Sequence, residues 1–152
     1  MPEMKPRVWN GHVKEFTPSE TPECKGVLNV PYVEPARVTE ADAQKFQDEY
    51  CFACPILIEC ARHAMNNEPY GTWGLTENQR ASLGGVVAEE WAEKKVDPHA
   101  VIAELEALGL DLDTITTIAS AAGPRNQHVY RAIAERRRRK AAAARASQSR
   151  AA

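Results

Sequence analysis

The chain has 152 residues, 43% of them hydrophobic and 26% charged, with a formal net charge of −2. That length suits one ordinary domain or two very small ones, and no apolar run is long enough to span a bilayer. The first nine residues lack the apolar middle of a secretory signal, so the cytosol is the expected compartment.

The charge is unevenly spread. After Ala121 the basic residues are Arg125, Arg131, Arg136, Arg137, Arg138, Arg139, Lys140, Arg145 and Arg150, against the single acid Glu135. The rest of the chain is therefore clearly acidic. A basic end on a near-neutral chain points to a polyanion partner, nucleic acid first among them.

In chain order, residues 1–35 are rich in Pro and polar side chains and read as loop. Thr39 is an N-cap for a helix to Tyr50, with Ala43, Phe46 and Tyr50 on one face. Pro55 ends that run and can open the next helix, to about Asn66, whose inward residues are Ile56, Leu57, Ala61, Ala64 and Met65. Gly71-Thr72-Trp73-Gly74 reads as a tight turn carrying an aromatic. Thr76 and Gln79 make a capping box for a further helix, interrupted at Gly84-Gly85. Val86 to Val96 reads as a helical connector.

Three helices follow: Pro98 to about Leu108, Asp111 to Gly123, and Arg125 to about Lys140. No strand is predicted, so the fold class is all-α. The expected organisation is a cysteine-bearing domain over 1–83, a connector over 84–97, a trihelical module over 98–140 and a disordered basic tail over 141–152.

The cysteines stand as Cys24, then Cys51-x-x-Cys54, then Cys60. A reducing compartment argues against structural disulfides and for metal or redox chemistry. Cys51 and Cys54 can grip one centre from a single turn, Cys60 can return to it after the Pro55 bend, and Cys24 can close it from a distant loop. Four thiolates suit a tetrahedral zinc or a four-iron cluster, and spacing alone favours the cluster only modestly. A thioredoxin-like pair would need a βαβ context, which is missing. Four inert buried thiols, three within ten residues, are the poorest account. The four histidines show no ligand spacing among themselves. His63 would serve as a substitute ligand only if Cys24 did not bind.

Together, Cys24, Cys51-Phe52-Ala53-Cys54-Pro55-Ile56-Leu57-Ile58-Glu59-Cys60 and Gly71-Thr72-Trp73-Gly74 resemble the WhiB-like family over roughly residues 8–83. That resemblance implies a [4Fe–4S] cluster on Cys24, Cys51, Cys54 and Cys60, sensitive to oxygen or nitric oxide. It further implies docking on the C-terminal domain of the principal sigma factor, with Tyr32, Gly71, Trp73 and Gly74 as contacts. A disulfide bond among the cysteines is carried as a further expectation. The chain departs from the family pattern at Thr72, which stands for Val or Ile, at Leu75, which stands for the second glycine, and at Val30-Pro31-Tyr32-Val33, where a Phe-Phe-Pro-like segment is usual. Trp73 can equally be a core residue that holds its turn against the metal centre.

Residues 98–134 resemble the helix-turn-helix of resolvase-like and LacI-like regulators, with Gly123 supplying the turn and Val129 and Ile133 burying the second helix. Pro124 stands where those families usually have Val or Ile. The resemblance makes Arg125, Asn126, Gln127, Tyr130 and Arg131 outward DNA contacts, with Arg136, Arg137, Arg138, Arg139 and Lys140 as phosphate contacts. A solvated helical bundle is the plainer reading of the same charges. The leading expectation is a redox- or nitric-oxide-responsive transcription regulator that contacts sigma factor and DNA. A zinc-stabilised protein-interaction adaptor is the alternative. No catalytic base, oxyanion device or substrate pocket can be read, so neither enzyme activity nor a small-molecule substrate is expected.

Overall fold

The computed structural model describes residues 7–9, 11, 15–24, 39–89, 92 and 97–151. Tyr32 lies outside the described residues, as do residues 90, 91 and 93–96 of the expected connector.

Thr39 caps α1 (Glu40–Phe46) by accepting the Asp42 N–H at 3.1 Å. The helix then widens into a π turn, Gln47–Cys51, where the Phe52 N–H reaches the Gln47 carbonyl at 3.1 Å. Such single wide turns re-aim the residues that follow, here Cys51 to Cys54. Pro55 and Ile56 form a turn, and α2 runs over Leu57–Asn67 with Leu57, Ala61, Ala64 and Met65 buried. Thr76 and Gln79 close the expected capping box on α3 (Glu77–Ser82).

The start of the connector differs from expectation. Val86–Val87 is a short buried strand, β2, which pairs in parallel with β1 (Arg7–Val8), Arg7 opposite Val86. Two adjacent β-branched residues after Gly84-Gly85 pack better on a pleated ladder than on a helix. Trp9 extends the pairing through its N–H to the Val87 carbonyl at 2.7 Å.

Beyond residue 97 the three helices form as expected. Asp97 caps α4 (Pro98–Ala107), with Pro98 at the first position. Asp111 caps α5 (Leu112–Ala119) by accepting the Thr114 N–H at 2.7 Å. A 3-10 turn, Ser120–Arg125, then bends at Gly123, whose φ of +77° suits glycine. The last helix, α6 (Gln127–Ala151), buries Val129, Ala132 and Ile133. It runs on past Lys140. Residues 141–151 continue it with every side chain exposed, because an alanine- and arginine-rich stretch has strong helix propensity even without an apolar face.

Both halves contribute to one buried cluster, from Phe46, Leu57 and Met65 to Ile102, Ile115, Ile118 and Ile133. Each large aliphatic side chain so buried stabilises the fold by about 1.5–3 kcal/mol before entropy is counted. Helix α2 is the shared element. Its Arg62 donates to the Thr117 carbonyl and, at 2.7 Å, to Ser120 Oγ, and its Asn66 Nδ2 donates to the Ala121 carbonyl at 2.7 Å. The cysteine-bearing half is thus bolted to α5 and the 3-10 turn.

Asn126 is a correction to the outward face expected of the second helix. It is only 2% exposed, and its Nδ2 donates to the Leu83 and Ala119 carbonyls at 2.8 and 3.1 Å. A Cβ at Gly84 would meet its Oδ1 at 2.0 Å. Asn126 therefore joins the two halves instead of facing solvent.

Candidate metal centre

Three segments bring the cysteines together. Cys24 comes from the N-terminal loop, Cys51 and Cys54 flank the end of the π turn, and Cys60 sits in the first turns of α2. All four line one cavity of about 360 Å³, with Phe16, Tyr50, Leu57, His63, Trp73 and Gly74 among its other walls. The four are free thiols, so the expected disulfide bond is withdrawn: they face a common space instead of pairing. Among the described residues no three of His, Cys, Asp and Glu are drawn together tightly enough to hold a single metal ion.

Burial dominates the chemistry of these thiols. It pushes Cys51 up to about 12, aided by Cys24 and Cys54 and opposed by the Gly74 backbone N–H and the Arg80 charge. It pushes Cys60 up to about 12 as well, with Cys51 adding to the rise. Cys24 is raised for the same reason, and next by Cys54. Protonated thiols in an apolar cavity are stable as they stand, but a soft metal centre must displace those protons to bind.

The Trp73 turn is built against this cavity. Trp73 and Leu75 form an isolated bridge, and the Trp73 indole Nε1 donates to the Tyr70 carbonyl at 3.1 Å. Trp73 is half-buried, with its ring 6.0 Å from Phe16 and 5.5 Å from His63. Gly71 and Gly74 are buried and shape the turn. Gly74 is fixed from three sides: its carbonyl accepts from Gln47 Nε2 at 3.0 Å, its N–H acts on Cys51, and a Cβ there would meet the Leu57 carbonyl at 2.8 Å. Its φ is +71°. Gly74→Ala should therefore destabilise the fold by on the order of 2 kcal/mol, from backbone strain and from pushing the turn off α2. Thermal unfolding checks this, and an unchanged midpoint would count against the turn being seated this closely.

Several contacts that shape the site carried no signal in the sequence. Gln47 is fully buried and pairs with Gln79 through Nε2 to Oε1 at 2.7 Å, linking the π turn to α3. Phe16 and His63 stack at 4.7 Å, and His63 Nε2 lies 3.7 Å from Glu68. Arg80 is 1% exposed. Each is set by three-dimensional packing across distant parts of the chain.

The residues expected to meet DNA divide into two sets. Arg125, Gln127 and Arg131 are exposed, while Tyr130 is half-buried with its hydroxyl donating to the Gly123 carbonyl at 2.8 Å. Within the basic run, Arg136 and Lys140 both hold Glu106, Arg137 holds Asp113 at 2.8 Å, and Arg139 holds Glu135 at 2.5 Å. Burial pushes the Glu106 carboxyl up, but the bonds and charges of Arg136 and Lys140 outweigh it and hold it below the ordinary range.

The family model described as Transcription factor WhiB matches residues 19–83. The transcriptional regulator WhiD of Streptomyces coelicolor is 40% identical over 70 residues, which is 41% of this chain and 60% of that protein. The chain thus spans about 60% of the length of this curated relative. No solved structure matches the chain. The matched stretch holds all four cysteines and the Trp73 turn, and over residues 19–83 the chain is similar to the WhiB family.

Proposed function

We propose that this chain is a transcription regulator that holds a [4Fe–4S] cluster on Cys24, Cys51, Cys54 and Cys60. The observation that carries the reading is the shared cavity: four thiols from three separate segments line one apolar space inside the WhiB segment. A many-atom cluster fills a cavity, whereas a lone zinc needs sulfurs converging on a point, with Zn–S contacts of about 2.3 Å. The thiols' arrangement favours the former. When bound, the cluster supplies reactivity toward oxygen or nitric oxide; the chain supplies thiolates, an apolar wall and the Trp73 turn.

The partners in this reading are the C-terminal domain of the principal sigma factor and DNA. A half-buried Trp73 beside a partly exposed Tyr70 offers an aromatic patch for a protein partner, on a turn whose Gly74 lines the cavity with Cys51. Arg125, Gln127 and Arg131, with the outer face of α6, offer the DNA surface. Because α2 carries Cys60 on one side and grips α5 on the other, loss of the cluster would be felt by both surfaces.

The test is anaerobic co-expression with the sigma domain, followed by iron, sulfide and zinc analysis of the purified complex. Four irons and four sulfides per chain support the reading. A colourless complex holding one zinc replaces it with an interaction adaptor.

A further inference from the structure

Residues 15–24 form neither helix nor strand, yet they supply one wall of the cysteine cavity through Glu15, Phe16, Pro18, Pro22 and Cys24. At the start of this strap the side chains alternate. Phe16 and Pro18 are half-buried, while Glu15, Thr17 and Ser19 are exposed, as an extended segment with one face on the body requires. Phe16 is the large apolar side chain of that face.

Rings from two other elements seat it. The Phe16 centroid lies 4.7 Å from His63 of α2, tilted by 31°, and 6.0 Å from Trp73, edge-on at 77°. His63 and Trp73 in turn stand 5.5 Å apart. The three rings thus touch one another, and all three line the cavity with the four cysteines. Further along, Ser19 donates its N–H at 3.1 Å and its hydroxyl at 2.5 Å to Glu59 of α2.

The other walls are built differently. The π turn, α2 and the Trp73 turn are fixed by helical ladders and by the buried Gln47 bond to the Gly74 carbonyl. The strap rests on them through ring contacts and one carboxylate, each of which is individually small. A segment so attached opens locally far more readily than a helix does. With a cluster bound, Cys24 fixes its far end, which leaves the Phe16 end as the part that lifts.

We infer that Phe16, seated between His63 and Trp73, gates the cysteine cavity and sets which reagents reach the cysteines and the cluster they hold: small uncharged molecules pass, and bulky or ionic ones do not. The inference rests on the cluster reading above. Apolar walls penalise a charged visitor whatever its size. The ring adds a limit on size, because a large reagent enters only when the strap has left His63 and Trp73, whereas a diatomic molecule needs no such displacement.

The test uses the full chain, cluster-loaded and anaerobic at the start, as wild type, Phe16→Ala, Phe16→Leu and Ser19→Ala. Loss of visible absorption is timed with two probes in separate runs: the dianionic ferrous chelator bathophenanthroline disulfonate, and dissolved dioxygen. Phe16→Ala removes both ring contacts and should raise the chelator rate on the order of tenfold, and the dioxygen rate by less than about twofold. Phe16→Leu keeps an apolar plug and should stay within about threefold of wild type with either probe. Ser19→Ala should move the chelator rate in the same direction as Phe16→Ala, by less.

An unchanged chelator rate in Phe16→Ala overturns the inference. So does equal acceleration with both probes, which marks general loosening of the site. If Phe16→Ala does not hold iron, Ser19→Ala decides: a chelator rate raised relative to the dioxygen rate supports the gate, and an unchanged ratio overturns it. A wild type that never holds iron removes the cluster reading itself. The gate is then judged on the metal-free chain by reaction of its thiols with the dianionic disulfide dithiobis(nitrobenzoate), where a faster Phe16→Ala supports it and equal rates overturn it.

Discussion

Cys54→Ser is expected to give a protein that purifies anaerobically without the broad blue-violet absorption of an iron–sulfur cluster and with iron near zero. Serine is almost the same size, so the cavity wall is kept, but its hydroxyl does not ionise to a soft ligand at neutral pH. Loss of groups that merely support metal ligands costs about 10–100-fold in affinity, and loss of a ligand should exceed that. The second consequence is structural. Cys24 sits on a loop whose described attachments to the body are few, among them the Ser19 bonds to Glu59 on α2. Ligation free energy is folding free energy in such an arrangement. Without the cluster, the first half should lose helicity, while α4 to α6 keep the core of Ile102, Leu105, Ile115, Ile118, Val129 and Ile133. Metal analysis with circular dichroism checks both parts. A Cys54→Ser protein of full colour would remove Cys54 from the ligand set, and unchanged helicity after cluster loss would sever the link to folding.

The sequence made some of this legible because the signals were local. Thr39, Thr76, Asp97 and Asp111 all precede helices, and all four accept from the first turn as capping chemistry requires. Gly123 takes the positive φ expected of the turn before the last helix. The cysteine spacing and the Trp73 turn marked a common site, and the cavity holds them together. What stayed hidden depends on contacts far along the chain. Val86–Val87 becomes a strand only because Arg7–Val8 lies beside it, roughly eighty residues earlier. Asn126 looks like a base-reading residue on a helical wheel, and only Gly84 reveals that it is packed inside. Arg80 sits in a capping-box helix that reads as an ordinary amphipathic turn, and its burial follows from how that turn folds under the Trp73 loop.

The arginines of α6 give the prediction with the other large effect. A charge run invites the view that Arg136 to Lys140 is the DNA-binding surface, yet four of those five residues are engaged with Glu106, Asp113 and Glu135. The pairs to Glu106 and Asp113 stabilise the α4–α6 and α5–α6 contacts modestly, and with Glu135 the three carboxylates offset three of the run's five positive charges. At 100° per residue, Arg131, Arg138 and Arg145 fall on one line, opposite the packed side of Val129, Ala132 and Ile133. All three are exposed, and no described ion pair engages them. If α6 lies along a duplex, this line carries the phosphate contacts, and each contact contributes about 0.9 to the slope of log affinity against log salt. Changing Arg131, Arg138 and Arg145 together to Ala should therefore lower affinity for a short duplex by roughly 10²-fold at about 0.1 M salt and flatten the slope accordingly. Helicity and cluster content should not change, because none of the three touches the core or the cavity. The companion variant, Arg136, Arg137 and Arg139 to Ala, should cost less affinity and more thermal stability, since it breaks the tethers to Glu106 and Asp113. The reverse ranking would return the DNA surface to the Arg136–Lys140 run, and equal, salt-independent binding by all three proteins would mean that α6 meets DNA on neither face.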